Sequence, residues 1–412
     1  MNMFKENKNV LIISYIFPPA PGIGGRRWAK FAKYLRKKNI DVSVISAQIT
    51  DETISTWTKD VEGIEVIRLN PKYPKIISAT PKSVIDKILY RIKLFEVKLR
   101  IKGNYFDKAA FMEESLKESV LKIVKEKKIK NIIVSGFPFY LNYFICKLKP
   151  QLPGVKIISD FRDPWTWKHS YSLDKMPINR QNEERKKEAF VVEKSDLVTM
   201  PSDIMVEEIS LLYPKYKGKY VDLPHGYDID ESCLKVENRK NAIIKFIMFG
   251  TMYITIENEI SNLASVFKNN MDTCELDIYC FSSKYASIFE EYNVLNKNVF
   301  YHNPISECEL YGKLIETNYY ILVCPDHAKD YIFTKIFEII YCKIPIIYIG
   351  SKGNISIFLE KNNLGIIIEK DQVQNKFQKI LNGEVNLNYN YDFDASHYSM
   401  ETITEKLITH LI

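Results

Sequence analysis

Apolar positions in this chain form two successive alternations of short buried runs and longer amphipathic stretches. Residues 9–17 (NVLIISYIF) are apolar almost without a break. A parallel strand buried on both faces reads this way. Gly22, Gly24 and Gly25 then predict a loop, and residues 26–38 a helix with Trp28, Phe31, Ala32 and Leu35 turned inward. Residues 41–46 (DVSVIS) predict the next strand. Strand, Gly-rich turn, helix, strand is a Rossmann-like opening, although the loop is not GxGxxG and indicates no nicotinamide cofactor. Further strands are expected at 64–69, 131–135, 155–160 and 196–200, and helices at 111–128, 140–148 and 181–194. Residues 229–242 are polar, lack a period and read as a linker.

A second alternation begins at 243–249 (IIKFIMF), with strands near 275–281, 299–301, 320–324 and 345–349 and helices between them. Within it, Asp330–Gly350 (DYIFTKIFEIIYCKIPIIYIG) predicts a loop, a helix over 335–342 capped by Thr334, and a buried strand after Pro345. Residues 396–412 form a last amphipathic helix. The expected organisation is an α/β chain of two Rossmann-like domains, 1–228 and 243–395, joined by the linker and closed by the 396–412 helix.

A length of 412 residues suits two domains, and 46% apolar with 26% charged residues is the balance of a soluble globular protein. The seven cysteines are scattered, form no CxxC and are expected as buried thiols of a reducing compartment. No apolar run approaches the roughly 18–20 residues that span a bilayer. The net charge of +7 is modest but concentrated. Lys82, Lys87, Arg91, Lys93, Lys98, Arg100 and Lys102 stand against only Asp86 and Glu96. This favours an anionic surface near residues 82–102 over a generally basic nucleic-acid binder. As a helix, the segment puts Ile85, Ile88, Ile92, Phe95 and Leu99 on one stripe with basic flanks, the pattern of an interfacial helix. Residues 97–102 also alternate like a strand, and a plain docked helix fits as well.

Candidate chemistry gathers at three places. Gly24-Gly25 permits close backbone approach to a phosphate or sugar, or makes a simple tight turn. Asp330 and Glu338 flank the start of the 335–342 helix, whose free N–H groups suit a phosphate. On spacing alone the plainer reading is that Glu338 only balances the helix dipole on a solvated face or pairs with Lys335 one turn earlier. Asp163 follows a predicted parallel strand, at the sheet edge where ligands bind. Beside it, Arg162 suits a phosphate or an ion pair with Asp160 or Asp163. Trp165 and Trp167 suit sugar stacking or core, and His169 is a proton acceptor or an ordinary loop histidine. The triplets Asp228-Ile229-Asp230 and Asp392-Phe393-Asp394 supply too few oxygens for a hard-cation site, so no metal is expected.

These stretches, in this order, resemble bacterial group 1 (family 4-like) GT-B glycosyltransferases. NVLIISYIFPPAPGIGGRRWAKFAKYLRKKNIDVSVIS is similar to their opening strand, aromatic-Pro-Pro turn, GG loop and first helix. SDFRDPW resembles the RDPW signature of a subgroup acting in surface-polysaccharide assembly. DLVTMPSD and LPHGYD resemble two further elements, with His225 where Asn is usual. TKIFEIIYCKIPII is similar to the donor-site helix, and Asp330/Glu338 keeps the spacing of the EX7E motif with Asp for the first Glu. After Gly250 the chain runs Thr251-Met252-Tyr253-Ile254, without the basic residues common there.

The resemblance implies two domains facing across a cleft, with the C-terminal helix crossing back to the first domain. It implies retaining, metal-independent and cofactor-free transfer from a nucleotide sugar to a lipid-linked or saccharide acceptor of a polysaccharide or capsule. The implied catalytic residues are Asp163, Lys335 and Glu338. Gly24, Gly25, Gly250, Thr251, Asp330, Phe333 and Thr334 would bind the donor. Arg162, Trp165 and His169 would face the acceptor. The expected location is cytoplasmic, peripheral on the inner membrane face through residues 82–102. A GT-B sugar-nucleotide epimerase and a catalytically silent GT-B scaffold are the alternatives.

Overall fold

The computed structural model describes residues 8–49, 55–168, 173–234, 243–250, 252–253, 255–280, 282–331, 333–385 and 387–412. The chain forms two compact units, one of residues 1–225 with 400–412 and one of residues 226–399. Residues 235–242 of the expected linker, and Thr251 and His169 among the expected site residues, lie outside the described residues.

Unit 1 runs β1 Val10–Ser14, α1 Ile23–Lys37, β2 Val42–Ala47, β3 Glu65–Leu69, α2 Lys75–Ser78, α3 Val84–Arg100, α4 Glu113–Lys127, β4 Asn131–Gly136, α5 Tyr140–Leu148, β5 Lys156–Phe161, α6 Ile178–Lys194, β6 Leu197–Met200, α7 Asp203–Leu212 and β7 Tyr220–Asp222. Its seven strands lie in the order β3-β2-β1-β4-β5-β6-β7. Every strand pair is parallel. The apolar run of β1 serves both faces. Leu11 and Ile13 enter one core, and Val10 and Ile12 enter the other with Trp28, Phe31 and Leu35 of α1.

Unit 2 runs β8 Ile244–Phe249, α8 Glu257–Asn269, β9 Cys274–Tyr279, α9 Ala286–Glu291, β10 Val299–His302, α10 Glu307–Ile315, β11 Tyr319–Val323, α11 Thr334–Tyr341, β12 Ile346–Ile349, α12 Asn354–Lys361, β13 Gly365–Ile368 and α13 Val373–Leu381. Its six strands lie in the order β10-β9-β8-β11-β12-β13, again all parallel. β13 was not foreseen from the sequence. It is a short edge strand whose first residue, Gly365, has no room for a side chain, because a Cβ there would come within 2.2 Å of the Ile346 carbonyl oxygen.

The last helix, α14 Met400–Ile408, belongs to unit 1, as expected. Met400, Ile403 and Leu407 pack into the α1 side of its core, and the Asn131 side chain clamps the backbone N–H and carbonyl of Ile412 at 3.0 and 2.8 Å.

Three local expectations need correction. The helix after β1 begins at Ile23, so Gly24 and Gly25 sit in its first turn and not in a loop. Residues 97–100 continue α3 and form no strand. Ser83 caps that helix through a capping box with Asp86, which settles its start. Cys233 and Cys308 form a disulfide that closes a separation of 75 residues, so only Cys146, Cys274, Cys280, Cys324 and Cys342 are free thiols, all buried.

Candidate functional site

In a doubly wound sheet, ligands bind beyond the carboxyl ends of the strands where neighbouring strands lead off in opposite directions. The strand orders put that point between β8 and β11 in unit 2, and between β1 and β4 in unit 1. Most candidate residues follow these strands or their neighbours.

In unit 2, Gly250 ends β8 with φ +94, a backbone state that disfavours any side chain. A Cβ there would stand 3.2 Å from Lys335 Nζ. Lys335 lies in the first turn of α11, and its ammonium donates to the Phe249 carbonyl at 2.8 Å. The α11 start and the end of β8 are thereby tied together. The rings of Tyr320, Phe249 and Phe333 lie 5.5, 5.6 and 6.0 Å from that nitrogen. Burial lowers the Lys335 pKa to about 8, with the Cys324 thiol and Glu338 acting in the opposite direction.

Glu338, one turn on, is buried at 6% exposure. A carboxylate so placed is not the solvated dipole partner that its spacing allowed. α11 begins at Thr334, not after it, and Phe333 stands at its N-cap position without a side-chain hydrogen bond. Phe333 stacks on Tyr253 at 6.0 Å. Asp330 is half-buried in the preceding loop, and its carbonyl accepts from Asn354 Nδ2 at 2.9 Å. Gly250, Phe333 and Lys335 thus converge on one rim of unit 2, with Glu338 buried near enough to act on Lys335 electrostatically.

In unit 1, the two glycines of α1 serve different contacts. A Cβ on Gly25 would press on the Ile16 carbonyl at 3.1 Å, and one on Gly24 would fall 1.9 Å from Arg162 Nη1. The missing side chain at Gly24 therefore lets the Arg162 guanidinium lie against the helix start. Arg162 Nε donates to Asp163 Oδ2 at 3.0 Å, and both are half-buried just beyond β5. Gly24, Arg162 and Asp163 are brought together. Trp165 is not with them. It is 3% exposed, stacked on Phe139 at 4.7 Å and 5°, and its Nε1 donates to Glu184.

Sequence reasoning missed the network beneath. Asp160, 0% exposed, receives Arg27 Nε and Nη2 at 3.1 and 3.0 Å, Trp28 Nε1 at 3.0 Å and Thr199 Oγ1 at 2.9 Å. Arg27 also donates to the carbonyls of Leu223 and Pro224 at 2.7 and 3.1 Å. Its Nη1 lies 3.4 Å from His225 Nδ1. Arginine only donates, so Nδ1 accepts and a neutral imidazole carries its proton on Nε2. Burial, then Arg27, Arg162 and Arg26, hold the His225 pKa well below the usual value. The signal available was the unbroken SDFRDPW string, in which Asp160 is the only acid on a buried strand.

Among the described residues, no group of three or more His, Cys, Asp or Glu side chains is set to hold a metal, and no helix is long and apolar enough to cross a membrane.

No protein-family model and no curated protein matches the chain. Solved structures do. A glycosyltransferase from Rickettsia africae ESF-5 is similar at TM-score 0.63 and 14% identity, covering 98% of each chain. WaaG, a glycosyltransferase involved in lipopolysaccharide biosynthesis, is similar at TM-score 0.60 and 14% identity over 98% of this chain and 99% of that one. A UDP-GlcNAc 2-epimerase from Neisseria meningitidis, bound to UDP-GlcNAc, is similar at TM-score 0.59 and 10% identity over 97% and 98%. At such identities the likeness is one of fold, and the fold is GT-B.

Proposed function

We propose that this chain is a glycosyltransferase that moves a hexose-type sugar, with retention, from a nucleotide diphosphate to a lipid-linked precursor of a bacterial surface polysaccharide. The observation that carries this reading is the Lys335 ammonium at the β8/β11 switch point, desolvated and bonded to the Phe249 carbonyl against Gly250. Charge develops on the leaving diphosphate during transfer, and prearranged donors in a low-dielectric site stabilise it most. Lys335 and the free N–H groups at the start of α11 are such donors. Binding of the anion raises the depressed lysine pKa and keeps the ammonium charged.

In this reading Glu338 takes the ribose hydroxyls, and Asp330 and Phe333 the donor sugar. Gly250 approaches the donor through backbone. Asp163, oriented by Arg162, faces the acceptor. No metal or cofactor is assigned a part.

The acceptor side favours transfer over epimerisation, since an epimerase needs no surface for a lipid-linked substrate. On α3, Ile85, Ile88, Ile92, Phe95 and Leu99 are all exposed, with Lys87, Arg91 and Lys98 on the same helix. Such a face suits the headgroup boundary of an anionic bilayer.

The test is isotope transfer from a panel of nucleotide sugars into a lipid extract. Labelled lipid product is expected, and its amount should fall with Glu338→Ala. Interconversion of the nucleotide sugar without transfer would give the chain to the epimerase reading, and neither activity would leave a binding scaffold. Flotation with anionic liposomes should lose the protein when Lys87, Arg91 and Lys98 become Glu; undiminished flotation would remove α3 from the membrane.

A further inference from the structure

The segment that follows Arg162 and Asp163 turns its donors backward onto carboxylates. Trp165 Nε1 donates to Glu184 Oε2 at 2.9 Å. Thr166 donates to Glu188 through its N–H at 2.8 Å and its hydroxyl at 3.0 Å. Trp167 Nε1 donates to Glu208 at 3.0 Å, and Lys168 pairs with the same carboxylate at 2.6 Å. Four consecutive residues are thus held by three acids, two on α6 and one on α7.

These acids are not surface ornaments. Glu184 and Glu188 are 1% and 0% exposed. Each is satisfied on several sides. Glu184 also accepts from the Asn104 N–H and the Tyr140 hydroxyl, both at 2.9 Å, and from Lys187 at 2.7 Å. Glu188 accepts from the Tyr213 hydroxyl at 2.7 Å. One turn before Glu184, Arg180 donates to the carbonyls of Lys98, Ile101 and Gly103. Residues 180, 184 and 188 follow the i, i+4, i+8 spacing, so one face of α6 joins the end of α3 to the 165–168 segment. Burying a carboxylate costs several kcal/mol unless it is fully bonded. Apolar residues of similar size would dock α6 without that cost. What the acids add is direction, because charge-assisted hydrogen bonds are short and geometrically demanding.

We propose that Glu184, Glu188 and Glu208 are positioning residues that hold segment 165–168 so that Arg162 and Asp163 are presented at the end of β5 for the acceptor. The word acceptor rests on the transferase reading above, whereas the holding of the segment does not.

The test uses the full chain with Glu188→Gln and Glu184→Gln. Glu208→Gln, at the more exposed end, serves should the buried changes unfold the unit. Rates are measured against donor and against acceptor, and the tryptophan indole N–H signals are followed by NMR, with Trp165→Phe and Trp167→Phe for assignment. The acceptor KM should rise about tenfold, the scale of one lost charged hydrogen bond, with the donor KM within about twofold. The Trp165 or Trp167 signal should move while Trp28 and Trp57 stay. An unchanged acceptor KM, or equal rises for donor and acceptor, overturns the proposal. If the wild-type chain transfers no sugar, the transferase reading falls and the indole signals alone decide. Movement confined to Trp165 and Trp167 then supports the positioning role, and unmoved signals overturn it.

Discussion

The two rims solve opposite electrostatic problems. In unit 1, charges are neutralised behind the candidate residues: Arg27 by Asp160 and Lys168 by Glu208, while Glu184 and Glu188 take up hydrogen-bond donors. In unit 2, Lys335 is set among three aromatic rings and a carbonyl, and desolvation dominates its pKa. The first arrangement fixes geometry and leaves little field for a ligand. The second leaves positive charge undercompensated, which is what an anionic ligand requires. The difference teaches that a buried charge can serve the fold or serve a ligand, and its partners tell which.

The comparison can be broken by removing one charge from each rim. Asp160→Ala leaves the Arg27 guanidinium buried and unpaired, which is expected to cost unit 1 about 3–5 kcal/mol by denaturant titration. A loss below 1 kcal/mol would mean that Arg27 finds other partners among the carbonyls it already touches. Lys335→Met should do the reverse. It removes a desolvated ammonium, so unit 2 should keep its stability, while kcat/KM for transfer falls about 100- to 1000-fold. A destabilised unit 2 with unchanged kcat/KM would make Lys335 a structural residue.

The pH dependence sharpens the contrast. Burial, with Glu184 nearby, raises Glu188 to about 7 from 4.5, and Asp107, a buried acid ahead of α4 that accepts from the Tyr140 N–H at 3.1 Å, to about 7 from 3.8. Both folded values lie above the unfolded ones. Their contribution is therefore fully present below about pH 4 and is lost as pH rises through about 7. The thermal midpoint of unit 1 should fall between about pH 4 and pH 7 and level off above that, and Glu188→Gln should flatten that fall. Lys335 is shifted down, so unit 2 should gain stability as pH rises from about 8 toward the unfolded lysine value. Equal slopes in both units would contradict the contrast.

The smallest effects concern glycines. Gly250→Ala forces an alanine into φ +94 and should cost unit 2 about 1–2 kcal/mol. Gly24→Ala meets only the flexible end of Arg162 and restores helix propensity, so its stability change should stay within about 1 kcal/mol. Denaturant midpoints for the pair separate a backbone demand from a demand for space.

Much of the fold was legible. The near-continuous apolar runs at 10–14 and 346–349 read as buried strands, and the structure makes both parallel strands covered on both sides, whereas the start of α3 at the Ser83–Asp86 capping box went unread. The α11 rim was legible too, because its residues lie within nine positions of one another in a local motif, apart from Gly250. The unit 1 support was not. Glu184 and Glu188 stand in a string of charged residues, NEERKKE, that reads as a solvated helix face, and Arg27 meets Asp160 across 133 residues. Trp165 and Cys233 were misread for the same reason: neither has its partner nearby in sequence.

By itself, then, the sequence determined the alternation of strands and helices, the two Rossmann-like halves and the helix that carries Lys335 and Glu338. Each follows from the identity and period of neighbouring residues, which act on the local backbone. Only the tertiary structure decided which charges are neutralised by an opposite charge and which are chiefly desolvated. That outcome depends on which distant side chains the packed sheet brings within hydrogen-bonding distance, and on how far water is excluded from them.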